Sequence, residues 1–302
     1  MTTQHEPTRA WIGLWIMLSV TWGFSFLFIK VAGNFLDPYQ TTFARLALGA
    51  LTLYVVLLFQ RGRPVTAPHA LKHLALIATL SQAIPFTLFA WAEHHISSVA
   101  AGLMNSTMSL WTAALAIVIL PEERLSKFRL GGLLVGFVGV AIVLGVWETD
   151  FRADWKAYFA CGISTIGYAL SVLWTRRFIT PLKLDPFGAV STQLTIGAIE
   201  CLTVSAFLST RPTHWPLTGV ISVVLLGAFG TGLALVINFL LIKRAGAMAT
   251  STVTYSIPIV STIAGVLILH EKLHWYEPVG AVIVLFGIAI VQQIIKPRKL
   301  VS

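Results

Sequence analysis

Runs of about 20 apolar residues, separated by short charged or proline-bearing breaks, recur along the whole 302-residue chain. A run of that length crosses a hydrocarbon core about 30 Å thick as a helix, and no soluble core needs so many of them. Composition agrees, since only 11% of residues are charged and mean hydropathy is +0.82, whereas a soluble domain carries about 25% charged residues. The fold class expected is all-α and integral to the membrane. Ten spans are expected, at about 11–33, 38–59, 70–92, 97–120, 127–147, 155–175, 184–208, 216–241, 246–269 and 275–295. Breaks such as Asp37-Pro38, Arg61-Gly62-Arg63-Pro64 and Arg211-Pro212 delimit them. The first run is too long for the apolar region of a signal peptide and reads as a span.

The net charge of +9 does not point to nucleic acid, because the basic residues sit in breaks between spans and not on one soluble face. They set an orientation instead. With the N-terminus inside, the inner side holds Arg9, Arg61, Arg63, Lys72, Arg124, Lys127, Arg129, Arg176, Arg177, Lys183, Lys243, Arg244, Lys296, Arg298 and Lys299, and the outer side only Arg152, Lys156, Arg211 and Lys272. The excess of Lys and Arg belongs in the cytoplasm, so both tails, 1–10 and 296–302, are expected there, with the protein in a plasma or bacterial inner membrane. Cys161 and Cys201 lie inside apolar runs, which argues against a structural disulfide and offers no metal spacing. No cofactor is expected.

The chain also repeats itself at an offset of 148 residues. Asp37-Pro38-Tyr39 matches Asp185-Pro186-Phe187, followed in register by Leu46 with Leu194, Gly49 with Gly197 and Ala50 with Ala198. The same offset pairs Glu123 with Glu271, Leu125 with Leu273, Gly132 with Gly280, Gly139 with Gly287, and Ala141-Ile142-Val143 with Ala289-Ile290-Val291. Each copy holds five spans, 11–147 and 155–295, and five is odd, so the second copy enters from the opposite side. Two inverted five-helix repeats are an architecture of secondary transporters, with the solute site near the midplane between them.

Trp22-Gly23-Phe24-Ser25-Phe26 in span 1, Phe43-Ala44-Arg45-Leu46 in span 2, and the Glu-x-Leu step followed by Gly after spans 4 and 9 carry a likeness. The chain resembles the EamA-type branch of the drug/metabolite transporter superfamily over about residues 10–296. The resemblance implies ten helices, cytoplasmic termini, a central cavity lined mainly by helices 1, 3, 4, 6, 8 and 9, and frequent export of amino acids or related metabolites. Family members often carry a proline midway along both the fourth and ninth helices. Here Pro258 in span 9 has Leu110 as its repeat mate, so no proline bend is expected in span 4.

Candidate site residues follow from polarity inside spans. An ionisable group there costs about 2.5–3.5 kcal/mol on insertion scales and needs a partner, a wet cavity or an escape to the interface. Lys30, Arg45 and Glu200 are the three. Counted at about 1.5 Å per residue, Arg45 and Glu200 each lie on the order of 10 Å inside the outer boundary. They are expected either to exchange an ion pair beside the cavity, with Glu200 as a proton carrier, or to pair statically and fix helix 2 against helix 7. Lys30 lies near a span end and can snorkel.

Among uncharged groups, Gln82, Asn238 and two stripes are expected to line the cavity or to bond neighbouring helices: Asn105, Ser109 and Thr112 in span 4, and Ser251, Tyr255, Pro258 and Thr262 in span 9. Trp22 and Tyr168 are candidates to stack on a solute, whereas Trp147, Trp155, Trp215 and Trp275 fit an aromatic belt. Gly132 and Gly136 form a G-x-x-x-G that serves either internal packing or a weak homodimer. His270-Glu271-Lys272-Leu273-His274 spells the zinc-hydrolase motif H-E-x-x-H, but it falls at a break between spans and lacks a third ligand. The leading expectation is a non-enzymatic secondary exporter of small organic metabolites, with proton coupling, uptake or exchange as variants and a membrane metalloenzyme as the distant alternative.

Overall fold

The computed structural model describes residues 10–119, 126–292 and 294–295. Glu122, Glu123, Arg124 and Leu125, the tail cations Arg9, Lys296, Arg298 and Lys299, and both expected tails except Ala10 lie outside the described residues, as does the side chain of Ser251. Among the described residues there is no strand.

Thirteen α-helices follow one another among the described residues: α1 Ala10–Ala32, α2 Pro38–Gln60, α3 Pro68–Ala78, α4 Ile84–Ala92, α5 Ser98–Asn105, α6 Met108–Ile119, α7 Lys127–Val143, α8 Thr149–Trp174, α9 Pro186–Leu208, α10 Leu217–Val224, α11 Ala234–Ser251, α12 Val253–Ile268 and α13 Tyr276–Val291. Wider π-helical turns at Thr79–Ala83 and Leu225–Leu233 join α3 to α4 and α10 to α11 without a break. Among the described residues six helical stretches are therefore long and apolar enough to cross a bilayer: Trp11–Ala32, Pro38–Gln60, Pro68–Ala92, Asp154–Leu182, Pro186–Leu208 and Leu217–Gly246, with Val253–Ile268 and Tyr276–Val291 as shorter apolar helices. Leu58, Phe59, Val118, Phe207 and Leu267 stand exposed on the outside of the bundle, as a chain solvated by lipid requires.

Repeat-related sequence makes matching local structure. Asp37 caps α2 by accepting from the amides of Tyr39 and Gln40, and Asp185 caps α9 by accepting from Gly188 N at 2.6 Å. Each is followed by a proline, whose missing N–H costs nothing in the first turn. The π-helical turn at Thr79–Ala83, moved by the repeat offset, falls within Leu225–Leu233.

The helices around spans 4 and 9 are both interrupted. α5 gives way to α6 at Ser106 and Thr107, where Ser106 Oγ donates to Leu103 O at 2.6 Å and Thr107 Oγ1 to Thr165 Oγ1 at 3.1 Å. α11 bends at Gly246 (φ 84°), and Thr252 separates it from α12. The interruption in span 4 thus occurs without a proline, where the Ser106 hydroxyl competes for a helix carbonyl and Thr107 turns to Thr165. Asn105, Ser109 and Thr112 consequently do not share the one unbroken helical face expected of them.

α7 and α13 form the tightest seam. A Cβ on Gly139 would stand 2.6 Å from Val284 N and one on Gly287 2.5 Å from Gly136 N, so only glycine lets the two backbones meet. Gly132 faces Ile290 and Gly136 faces Leu110 and Gly287. Both glycines offered for a homodimer are covered by the chain's own helices.

Candidate functional site

Arg45 projects from α2 into the bundle and is buried, at 8% exposure. Its guanidinium carbon lies 3.7 Å above the centre of the Phe86 ring, and its Nε donates to Thr231 Oγ1 at 2.8 Å. Thr231 lies in the π-helical stretch of the second half, where its hydroxyl also donates to Leu226 O at 3.1 Å. Desolvating a guanidinium is costly, and the planar group recovers part of that cost by stacking on an aromatic face and bonding within its plane.

The repeat mate of Arg45 is Gln193, which accepts from Gln82 Nε2 across 3.4 Å. Gln82 in turn belongs to the π-helical stretch of the first half. Each half thus sends a polar side chain from its second helix into the widened turn of the other half. Gly49 and Gly197 permit the approach, their Cβ positions lying 3.0 Å from Thr231 and 3.1 Å from Leu46.

Arg45 and Glu200 are not brought together. Glu200 Oε1 accepts from Thr79 Oγ1 at 2.8 Å on the neighbouring helix, and its other oxygen has no hydrogen-bond partner. Equal depth along two helices sets height but not facing, and these two side chains leave α2 and α9 toward different neighbours.

Trp22 and Tyr168 do pack into one region. Both lie against the central apolar cluster of Leu18, Phe26, Phe89, Met104, Ile237 and Ile257. Tyr168 stacks on Phe89 at 6.2 Å between ring centres and meets Phe86 edge-on at 6.3 Å, beneath the Arg45 guanidinium. Gln82 reaches from the Thr79–Ala83 turn to Gln193 on α9, with its own Oε1 left without a hydrogen-bond partner, and does not join this wall. Asn105 ends α5, Ser109 stands in the first turn of α6, and Asn238 on α11 is half-buried. Tyr255 packs its ring against the second apolar cluster, with Leu103, Leu110 and Leu133, and its hydroxyl is enclosed without a hydrogen-bond partner. Near the same interruption Trp15 Nε1 donates to Thr252 Oγ1 at 2.9 Å and Ser256 Oγ to Ser19 Oγ at 2.6 Å, which ties α1 to the start of α12.

Lys30 does not snorkel into open water. Its ammonium donates to the backbone oxygen of Glu93 and, at 2.8 Å, to that of Ile96, which latches the end of α1 onto the α4–α5 connection. Glu93 itself was not among the expected residues, because it follows directly on the apolar stretch that ends at Ala92 and so reads as a loop residue. It is only 2% exposed, and neither carboxylate oxygen has a hydrogen-bond partner. Burial pushes its carboxyl well above the usual carboxylate range, against the opposing pull of Lys30. Burial, with Lys30 beside it, pushes the neighbouring His94 imidazole down.

Glu271 serves as a clamp between halves. Its carboxylate accepts from Ser98 N at 2.8 Å, Ser98 Oγ at 2.8 Å and Val99 N at 3.1 Å, capping the N-terminus of α5. The H-E-x-x-H segment therefore does not form the helix that a zinc site needs. α12 ends at Ile268, His270 has a φ of 55°, and α13 begins only at Tyr276. Among the described residues no group of three His, Cys, Asp or Glu stands close enough to hold a metal.

The comparisons fit this geometry. The model of the EamA-like transporter family matches twice, over residues 9–145 and 155–292. An uncharacterized transporter of Archaeoglobus fulgidus is 27% identical over 92% of this chain and 98% of its own length. The uncharacterized transporter YcxC of Bacillus subtilis is 24% identical, covering 94% of this chain and 93% of the relative. Protein PagO of Salmonella typhimurium is 20% identical over 82% and 81%. A crystal structure superposes with a TM-score of 0.64 at 16% identity, over 93% of this chain and 96% of that one, a likeness of fold. The names of the Archaeoglobus and Bacillus relatives point to a transporter rather than an enzyme. With both copies matched along nearly its whole length, this chain is an integral membrane protein that belongs to the EamA-like transporter family.

Proposed function

We propose that the protein is a secondary transporter that exports amino-acid-like or other small organic metabolites by alternating access between two inverted five-helix halves, with both termini in the cytoplasm of a plasma or bacterial inner membrane. One observation carries this reading: two of the π-helical turns are related by the repeat offset, whereas a further one at Thr175–Ile179 has no counterpart. π-helical turns at Thr79–Ala83 and Leu225–Leu233 face one another's second helices, and interruptions at Ser106–Thr107 and at Thr252 flank the aromatic wall. Irregular helices at corresponding regions of two repeats are where transporters build solute sites, because freed backbone groups and small rearrangements concentrate there.

In this reading Trp22, Phe89 and Tyr168 form an apolar wall against the solute, and Arg45 supplies the fixed positive charge that attracts an anionic group. The supporting test is flux in proteoliposomes that hold the full chain. Efflux of a metabolite mixture saturates with concentration, is accelerated by solute on the opposite side, and drops at least tenfold with Arg45→Met. Linear flux without counter-stimulation would favour a channel.

A further inference from the structure

The Glu93 end of the bundle holds more than a transporter's frame requires. A pocket of about 100 Å³ opens between the tips of α1 and α4, lined by Ile29, Lys30, Gly33, Asn34, Ala90, Glu93 and His94. Glu93 is enclosed there with both carboxylate oxygens unpartnered, while the nearest cation, Lys30, spends its ammonium on two backbone oxygens and not on the carboxylate. An ionised carboxylate without a hydrogen bond in a dry site is strongly disfavoured, whereas the neutral acid is tolerated. The arrangement is therefore the protonated half of an equilibrium.

We propose that Glu93 is a proton-binding site whose occupancy is linked to closure of this end of the bundle: protonated while Lys30 latches α1 to the α4–α5 connection, ionised when the tips part and the Lys30 ammonium turns to the carboxylate. The step balances within the pocket. The O–H bond forms with a proton taken from pocket water and breaks by returning it, and no other reactant takes part. The groups that act on Glu93 are Lys30 from α1, Arg45 from α2 and Glu271 from the segment before α13, and Cys161 on α8 feels its charge. Two cations oppose one acid, so the ionised form becomes accessible once water enters. His94 adjoins on the same segment, its ring 3.0 Å from where a Cβ on Gly33 would lie, so it contacts α1 at the mouth of the pocket. In the orientation proposed above, this mouth faces the outside.

The inference rests on the transport reading for its use, since a proton held at one gate is what a coupled carrier needs, but its test needs no transported solute. The probe is the proton. The full chain is placed in lipid vesicles with Ile29→Cys, a buried pocket position, while the native Cys161 and Cys201 are buried. Labelling by a membrane-impermeant maleimide is followed across pH beside the infrared band of protonated carboxyl groups. The ratio of labelling in the otherwise wild-type chain to that in Glu93→Gln is expected to rise severalfold with pH, in step with the loss of a carboxyl band that Glu93→Gln lacks and Glu200→Gln keeps. A band that persists in Glu93→Gln, or a ratio that stays flat across pH, would overturn the proposal. Should Glu93→Gln fail to fold, Lys30→Met decides: loss of the cation moves the midpoint of the band to higher pH, and an unchanged midpoint refutes the linkage. A failed flux assay with this titration intact would count against the transport reading alone.

Discussion

The α7–α13 seam and the Glu93 end are built on opposite plans. At the seam, Gly132 and Gly139 of one half meet residues around Gly287 and Gly280 of the other, and each glycine has its repeat mate in the same contact. At the Glu93 end, Lys30 has Phe178 as its mate and Glu93 has Leu241, so the charged latch exists in one half alone. Symmetry is kept where two backbones must touch, because either half would lose the fold by departing from it. It is abandoned where a charge is buried without a matching charge, because only one end of the bundle uses it. The contrast separates the frame from the device.

The largest effect is expected at the seam. Gly287→Val puts two methyl groups where a single Cβ already lies 2.5 Å from Gly136 N. Backbone cannot yield as a side chain does, so a loss of about 3 kcal/mol or more is expected, read as a lower thermal unfolding temperature in detergent or as lost expression. An unchanged unfolding temperature would mean that the seam is not closed in the protein.

Next comes the Glu271 cap. Glu271→Ala leaves Ser98 N and Val99 N without their acceptor, and about 1–2 kcal/mol of stability should go with it, with Glu271→Gln recovering part. Equal effects from Ala and Gln would show that the charge at the α5 N-terminus contributes and the hydrogen bonds do not.

Glu93 predicts a pH dependence of defined sign. Its folded pKa is raised, so the stability that comes from its bound proton is fully present below the unfolded value of about 4.3 and is lost as pH rises through the higher folded value. Glu93→Gln, which keeps the neutral shape, should match the wild type in acid and become the more stable protein toward alkaline pH, by up to about 1.4 kcal/mol for each pH unit between the two values. A wild type that gains on the variant as pH rises would contradict the burial argument. The smallest effect belongs to Gly131, one residue from the seam glycine Gly132, whose Cβ would meet nothing within 4 Å. Gly131→Ala is expected within about 0.5 kcal/mol of neutral, a control for the seam.

Much of the frame was legible in the residues. Asp37-Pro38 stood out as a break between spans and Asp185-Pro186 as its repeat match, and both aspartates cap the helices that follow by chemistry that needs no tertiary context. The glycine pairs were visible through their common offset. The π-helical turns were not, since Thr79–Ala83 and Leu225–Leu233 carry no residue that marks a wider turn, and an apolar run reads alike at either period. Arg45 was legible as a buried charge but not its partner, Thr231, which lies 186 positions away and bonds through a facing that depth cannot specify. Glu93 was missed because a carboxylate just past an apolar run looks solvated. Only the return of Lys30 onto the backbone around it reveals that it is enclosed.

The central claim is that two halves alternate around a solute site, and counterflow tests it most directly. Proteoliposomes that hold the full chain, loaded with a metabolite mixture and diluted into labelled solute, should show a transient uptake overshoot that saturates with concentration and disappears in Arg45→Met. Monotonic equilibration without overshoot, unchanged by Arg45→Met, would contradict the account.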